Sequence, residues 1–149
     1  MGDRPYPSDA RGRSIASMQP DPGPQRPLRV VVVDADDRVR ESLAGLLCIG
    51  DRLEVVGSAG QSGSAIDIVM STQPDIVVLD PRLPEVDAGL TLIRRLRDAA
   101  PGVRILVMGG TDIFEGADLV RSADGFVRKT YRPSDLVAAV IAAAVPLAS

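Results

Sequence analysis

Short runs of branched apolar residues alternate along this chain with segments of helical periodicity, and this alternation restricts the fold more than any other feature. Five runs are rich in Val and Ile, and most of them lack polar alternation: LRVVVVD, LEVVGSA, DIVVLD, VRILVM and GFVRK. Strands that are buried on both faces have this composition. Strands that alternate regularly with helices predict a parallel sheet with helices on both faces.

The predicted fold is α/β, a doubly wound five-stranded parallel sheet of the flavodoxin-like type with strand order 2-1-3-4-5. Right-handed crossovers leave few topologies, and this order is a common one. It predicts a ligand site beyond the carboxyl ends of strands 1 and 3, where the winding reverses. Five helices are predicted from apolar stripes at spacings of three and four residues. The stripes are Val39, Leu43, Leu46 and Leu47; Ile66, Val69 and Met70; Ile93 and Leu96, flanked by Leu90 and Leu92; Leu119 and Val120; and Leu136, Val137, Val140, Ile141 and Ala144.

Residues 1–27 differ in composition from the rest of the chain. They hold six of the twelve prolines and few large apolar side chains. Such a segment cannot bury enough apolar surface to offset the entropy lost on ordering, so we expect it to be disordered. The chain is therefore divided into a proline-rich tail, residues 1–27, and a folded domain, residues 28–149. We interpret the tail as an inert leader, with a partner-docking segment as the alternative.

Composition disfavours several classes of function. The chain has no histidine, which removes histidine triads and histidine metal sites, and its net charge of −3 gives no support to nucleic-acid binding. No apolar stretch reaches the roughly 18 residues of a membrane span, and the N-terminus has no apolar signal segment. We expect a cytoplasmic protein that binds neither nucleic acid nor membrane. The single cysteine, Cys48, lies in the apolar run LLCIG, and we interpret it as a buried structural thiol.

Charged side chains stand at the predicted carboxyl ends of three strands. Asp34 ends strand 1, Asp80 ends strand 3, and Lys129, the only lysine among 17 basic residues, ends strand 5. In the predicted strand order these ends meet at one rim of the sheet. Paired carboxylates with a lysine suggest a hard divalent cation, above all Mg²⁺, or attack by an aspartate on a phosphoryl group. The alternative is structural: the aspartates after strand 1 cap a helix, and Asp80 only ends a strand.

Three motifs make residues 28–145 resemble the receiver domain of bacterial response regulators. They are VVVDADDRVRESL, PDIVVLDPRLPEVDAGLTLIRRLR and ADGFVRK. The resemblance implies that Asp80 accepts a phosphoryl group from the phosphohistidine of a sensor histidine kinase, and that Lys129 contacts this group. It also implies an Mg²⁺ site. We expect its ligands to be Asp34, Asp80 and the backbone carbonyl of Arg82, with Asp36 as a further candidate next to the acidic pair.

Several positions depart from the pattern of that family. Ala35 stands where the family has the second member of its acidic pair, so we expect Mg²⁺ binding to be weak unless Asp36 turns inward. The family's switch positions correspond to Gly109, Thr111 and Phe126. Gly109 replaces a Ser or Thr hydroxyl at the end of strand 4, and Thr111 is the nearest substitute. Phe126 stands where the family has its switch aromatic, with plain core filling as the alternative.

Two interpretations of function remain open on the sequence. The first is a phosphoacceptor receiver that switches the surface of helix 4, strand 5 and helix 5, a surface through which the resemblance also implies a homodimer. The second is a phosphate-independent pseudo-receiver that acts as a protein-binding module. A hydrolase of the aspartyl-phosphate type is disfavoured because Arg82, and not a carboxylate, stands two residues after Asp80. We therefore do not expect an enzyme.

Overall fold

The computed structural model describes residues 26–84, 88–110, 117–129 and 132–144, and these form one five-stranded sheet with flanking helices. All strand pairs are parallel, and the order β2-β1-β3-β4-β5 confirms the predicted fold class and topology. The elements are β1 (Leu28–Val33), α1 (Asp37–Leu47), β2 (Leu53–Ala59), α2 (Ser62–Thr72), β3 (Ile76–Leu79), α3 (Ala88–Ala99), β4 (Arg104–Gly109), α4 (Ala117–Ser122), β5 (Gly125–Arg128) and α5 (Pro133–Ala144).

The valine run of β1 is explained by its central place in the sheet. Val31 and Val33 point into the core that α2 and α3 cover. Val30 and Val32 point into the core on the other face, under α1 and α5. All four are fully buried, and each contributes roughly 1.5–3 kcal/mol relative to an exposed side chain. Burial on both faces is the reason why the strand shows no polar alternation.

Two interpretations of single residues are wrong. Cys48 is exposed because α1 ends at Leu47 and Cys48 is the capping residue, whose N–H donates to the carbonyl of Ala44 at 3.3 Å. Met70 was assigned to the buried stripe of α2, but its side chain is 53% exposed. The buried positions of that helix are Ala65 and Val69, one helical turn apart, and Met70 lies beside them on the solvent side.

The amino end of the described chain is attached to the sheet. Arg26 donates two hydrogen bonds of 3.0 Å to the carboxylate of Asp75, which also accepts the backbone N–H of Arg29 at 2.8 Å. Burial raises the pKa of Asp75, but these hydrogen bonds and the two arginine charges outweigh burial, so the pKa is lowered. Arg26, which the sequence assigned to the tail, is therefore in contact with the folded domain, and residues 1–25 lie outside the described residues.

None of the helices in the described ranges combines the length and the apolar character that crossing a bilayer requires.

Candidate functional site

Three strand ends place Asp34, Asp80 and Lys129 at one rim of the sheet. The residues directly follow β1, β3 and β5, and their backbone N–H groups still bond to neighbouring strands. Asp80 donates to the carbonyl of Val33 at 2.9 Å, and Lys129 donates to the carbonyl of Gly109 at 3.0 Å. Because the backbone is held by these bonds, the three side chains project from fixed positions.

The lysine bridges the two carboxylates. The Nζ atom of Lys129 contacts the Oδ2 atom of Asp80 and lies 3.4 Å from the Oδ2 atom of Asp34. Both aspartates are only 3% exposed, whereas the side chain of Lys129 is 31% exposed. Buried carboxylates are tolerated when they are paired and hydrogen-bonded. The predicted convergence of these residues is therefore present in the structure.

The protonation state of Lys129 follows from its neighbours. Burial lowers the pKa of the ammonium group, but the hydrogen bond to Asp80 and the negative charges of Asp80 and Asp34 outweigh burial. The pKa is thus raised above its ordinary value of 10.5. Lys129 carries a full positive charge at neutral pH, as a group that neutralises an incoming anion requires.

The second oxygen of each carboxylate is oriented by the backbone. Oδ1 of Asp34 accepts the N–H of Asp36 at 2.9 Å, and Oδ1 of Asp80 accepts the N–H of Arg82 at 2.9 Å. Each aspartate therefore closes a local turn onto the residue two positions later. One oxygen of each carboxylate faces the lysine, and the other is fixed by its own loop.

Asp36 is used as a helix cap. Its carboxylate accepts the N–H of Arg38 at 2.9 Å at the start of α1, and the residue is exposed. Among the residues that the structure describes, no group of three acidic, histidine or cysteine side chains is arranged to hold a metal ion. Asp36 thus does not complete a three-carboxylate cluster with Asp34 and Asp80, and Ala35 offers only a methyl group.

The remaining pair of carboxylates fits Mg²⁺ in its usual protein setting. Mg²⁺ prefers oxygen ligands, retains several waters, and is commonly held by one or two carboxylates together with phosphate oxygens. Asp34 and Asp80 supply two buried carboxylates at the same rim. The donor set therefore suits this ion, with fewer protein ligands than a three-carboxylate site would give.

Two arginine side chains near the rim were not predicted to take part in the site, although the backbone carbonyl of Arg82 was predicted as a metal ligand. Nη1 of Arg40 donates to the backbone carbonyl of Asp34 at 2.6 Å and lies over Gly60, where a Cβ atom would be 2.6 Å from Nη1. Nε of Arg82 lies 3.9 Å from Oδ1 of Asp80. Arg82 stands two residues after Asp80 in the motif DPR, and this short separation was the available signal. It did not show in which direction the side chain of Arg82 points.

The loop after Asp80 is held against the first turn of α3. Leu83 donates to the carbonyl of Pro81 at 2.9 Å, which closes a tight turn around Arg82. A Cβ atom on Gly89 would lie closer than 3.0 Å to the Cβ of Pro81, and 3.0 Å from its Cα and carbonyl oxygen. This close approach favours glycine at position 89, because any larger residue must displace Pro81, the residue next to the candidate acceptor.

We expect Gly89→Ala to destabilise the domain by about 1–2 kcal/mol, because the added methyl group must push Pro81 aside. Gly63→Ala is the matched control, since Gly63 lies in the first turn of α2 and a Cβ there meets nothing within 4 Å. That variant should be neutral or slightly stabilising. Urea denaturation of both variants measures the difference, and equal stabilities would show that the Pro81 contact relaxes without cost.

The predicted switch residues are only partly described. Gly109 is buried at the end of β4 and carries no side chain, so no hydroxyl stands at this strand end. Phe126 pairs with Val107 in the β4–β5 register, and its half-buried ring packs against the core under α2 and α3. Thr111 lies outside the described residues.

Known proteins resemble this chain through the same region. Residues 30–141 match the family model described as the response regulator receiver domain. The chain is 30% identical over 122 residues to the nitrate/nitrite response regulator protein NarL of Escherichia coli K12, an alignment that covers 80% of this chain and 56% of NarL. It is 41% identical over 76 residues to protein-glutamate methylesterase/protein-glutamine glutaminase 5 of Anaeromyxobacter dehalogenans, which covers 51% of this chain and 21% of that protein.

Solved structures give the same result with fuller coverage. The signal receiver domain of a NarL response regulator from Mycobacterium tuberculosis is similar with a TM-score of 0.72 and 27% identity, over 80% of this chain and 98% of that one. A LuxR-family two-component response regulator from Aurantimonas sp. SI85-9A1 has a TM-score of 0.70 and 30% identity, over 79% and 85% of the two chains. The chain spans about half the length of NarL and about a fifth of the methylesterase.

Proposed function

The chain belongs to the response regulator receiver family, and from this premise we propose that Asp80 accepts a phosphoryl group and thereby switches the domain in two-component signalling. One observation carries the proposal. The carboxylate of Asp80 is buried, contacts the only lysine of the chain, and shares that lysine with a second carboxylate, Asp34. A nucleophile, a fixed cation and a ligand for a divalent metal thus meet at one rim, as phosphoryl transfer to a carboxylate requires.

The transfer uses the observed contacts of Asp80. In the proposed reaction with the phosphohistidine of a sensor histidine kinase, an oxygen of Asp80 attacks phosphorus. The bond from phosphorus to the histidine nitrogen breaks, and that nitrogen keeps the electron pair of the broken bond. The N–H of Arg82 holds the carboxylate in orientation, and Lys129 neutralises negative charge that develops on the phosphoryl oxygens.

Mg²⁺ is the proposed cofactor, held by Asp34 and Asp80 with the backbone carbonyl of Arg82 as a further ligand. When bound, the ion supplies positive charge to the phosphoryl oxygens. We leave Asp36 out of the proposed ligand set, because its carboxylate accepts the N–H of Arg38 at the start of α1. We propose that binding is weak, since Ala35 contributes no oxygen.

We propose that the phosphorylated domain passes its signal on through contacts with other proteins. Phosphorylation would alter the surface of α4, β5 and α5, with Phe126 behind the rim and Gly109 and Thr111 at the end of β4. A homodimer through this surface is the corresponding proposal for assembly. We propose that this chain acts in the cytoplasm, is not an enzyme, and binds neither nucleic acid nor membrane itself. Effects on transcription or on enzymes would then come from partners or from further domains.

We expect acetyl phosphate with Mg²⁺ to convert the native chain into a species that is heavier by one phosphoryl group, measured by intact-mass spectrometry. Asp80→Asn keeps the size of the side chain but removes the nucleophile, so this variant should show no such species. Modification of both proteins would place the phosphoryl group elsewhere. A native chain that stays unmodified with acetyl phosphate and with phosphorylated kinases would instead support the phosphate-independent pseudo-receiver.

A further inference from the structure

We propose that the side chain of Arg82 is a second phosphoryl-binding cation, which acts beside Lys129. The proposal rests on phosphorylation of Asp80 and assigns a residue for recognition of the phosphoryl group. It concerns the guanidinium group, whereas the backbone carbonyl of Arg82 is the group assigned to the metal above.

The acceptor carboxylate lies between two cations. Lys129 contacts Oδ2 of Asp80, and Nε of Arg82 lies 3.9 Å from Oδ1 on the other side. A phosphoryl group on either oxygen of Asp80 therefore has one cation beside it. The planar guanidinium group can donate two parallel hydrogen bonds to a phosphoryl group, a geometry that an ammonium group does not provide.

The backbone around Arg82 is fixed, so the side chain leaves the loop in a defined direction. The N–H of Arg82 donates to Asp80 at 2.9 Å, and the next N–H, of Leu83, donates to the carbonyl of Pro81 at 2.9 Å. Pro81 in turn packs against Gly89. The side chain of Arg82 is 56% exposed, which leaves it room to follow a bound group.

The charges of the site also favour this role. The carboxylates of Asp34 and Asp80 are paired with the cations Lys129 and Arg82, and the formal charges of these four side chains sum to zero. A carboxylate at position 35 would make the sum negative and would increase the demand for a metal ion. With Ala35 and Arg82, the rim repels an anionic phosphoryl group less than a rim with a third carboxylate would.

A plain surface ion pair is the alternative role for Arg82. Exposed pairs of this kind contribute little to stability, so Arg82→Gln should leave the unfolding transition almost unchanged under either view. The two views differ in the chemistry of the site. If Arg82 binds the phosphoryl group, Arg82→Gln should slow phosphorylation and at the same time tighten Mg²⁺ binding. A plain surface ion pair does not predict slower phosphorylation.

The test uses the full chain with acetyl phosphate, whose bond from phosphorus to the acetate oxygen breaks as the bond to Asp80 forms. In saturating Mg²⁺, the initial rate of phosphorylation of Arg82→Gln should fall about tenfold relative to the native chain, the loss typical of one charge-assisted hydrogen bond. With no phosphodonor, the same variant should bind Mg²⁺ about two- to fivefold more tightly, because a cation next to the ligands is gone. Arg82→Lys keeps the positive charge but cannot donate two parallel hydrogen bonds. Its phosphorylation rate should lie between those of the native chain and Arg82→Gln.

Arg26→Gln is the matched control, since Arg26 is also an exposed, paired arginine but lies at the amino end of the sheet beside Asp75. It should change neither measurement. A native chain that is phosphorylated at the same rate as Arg82→Gln would overturn the role of Arg82 and leave Asp80 as the acceptor. Weaker binding of both ligands in Arg82→Gln would also overturn it, because that is the result of a distorted loop. A native chain that is never phosphorylated would overturn both proposals.

Discussion

Replacement of Lys129 by methionine is expected to lower the free energy of unfolding by about 3 kcal/mol at neutral pH. Removal of one partner of a buried ion pair costs about 3–5 kcal/mol, and the low end applies because the side chain of Lys129 is 31% exposed. Asp34 and Asp80 are each only 3% exposed, so neither carboxylate gains full hydration when the ammonium group is lost. Methionine keeps most of the apolar stem, and urea denaturation therefore reports mainly the loss of the charge.

The dependence of this effect on pH has a defined sign. Because the pKa of Lys129 is raised in the folded chain, its ion pairs stabilise the fold fully at pH values below the unfolded value of 10.5. The stabilisation is lost as the pH rises through the folded pKa. The difference in stability between the native chain and Lys129→Met should thus be constant near neutral pH and shrink above about pH 10.5.

The Asp80→Asn background isolates the contact between Lys129 and Asp80. Asparagine removes one of the two negative charges that the lysine neutralises, so Lys129→Met should cost at least about 1 kcal/mol less there than in the native background. An equal cost in both backgrounds would mean that the observed contact between Nζ and Oδ2 contributes nothing to stability. The stability of Asp80→Asn alone also shows whether repulsion between the carboxylates of Asp34 and Asp80 destabilises the native fold.

The meeting of Asp34, Asp80 and Lys129 was predictable because it depends on topology alone. Each residue directly follows a strand, and each strand could be recognised from its buried, branched side chains. Once the order of parallel strands is known, their carboxyl ends must share one edge of the sheet. The proximity of residues far apart in sequence could therefore be predicted without any knowledge of side-chain geometry.

The use of Asp36 could not be predicted in the same way. An aspartate before a helix is suited both to capping and to metal binding, and the two roles differ only by a rotation of the side chain. The structure shows the cap, with the Oδ1 atom 2.9 Å from the N–H of Arg38. The direction of the Arg82 side chain toward Asp80 is undetermined by sequence for a similar reason, since a turn must first fix its backbone.

Contacts between ends of different elements were also missed. Arg97 of α3 donates hydrogen bonds of 2.9 Å to the carboxylate of Asp124 and to the carbonyl of Ser122, at the end of α4. Asp124 also accepts the N–H of Ile105 at 2.8 Å. Hydrophobic periodicity places Arg97 on the polar side of a helix and gives no information on a partner 27 residues away. Such polar contacts depend on the final packing of α3 against α4 and β5.

Ala35→Asp is expected to tighten Mg²⁺ binding by about ten- to hundredfold. The structure gives the ion two carboxylates, Asp34 and Asp80, while Asp36 remains at the helix cap. A third carboxylate beside Asp34 adds a negatively charged oxygen ligand, whose contribution is about 1.5–3 kcal/mol by analogy with a charged hydrogen bond. A magnesium titration of the native chain and the variant, monitored by calorimetry or by amide chemical shifts around Asp80, measures the change.

Ala142→Asp adds the same charge on the exposed side of α5 and serves as the control for net charge alone. If Ala35→Asp and Ala142→Asp bind Mg²⁺ equally well, position 35 is not a lost ligand, and the cations Lys129 and Arg82 at the rim are then the groups expected to oppose Mg²⁺ binding.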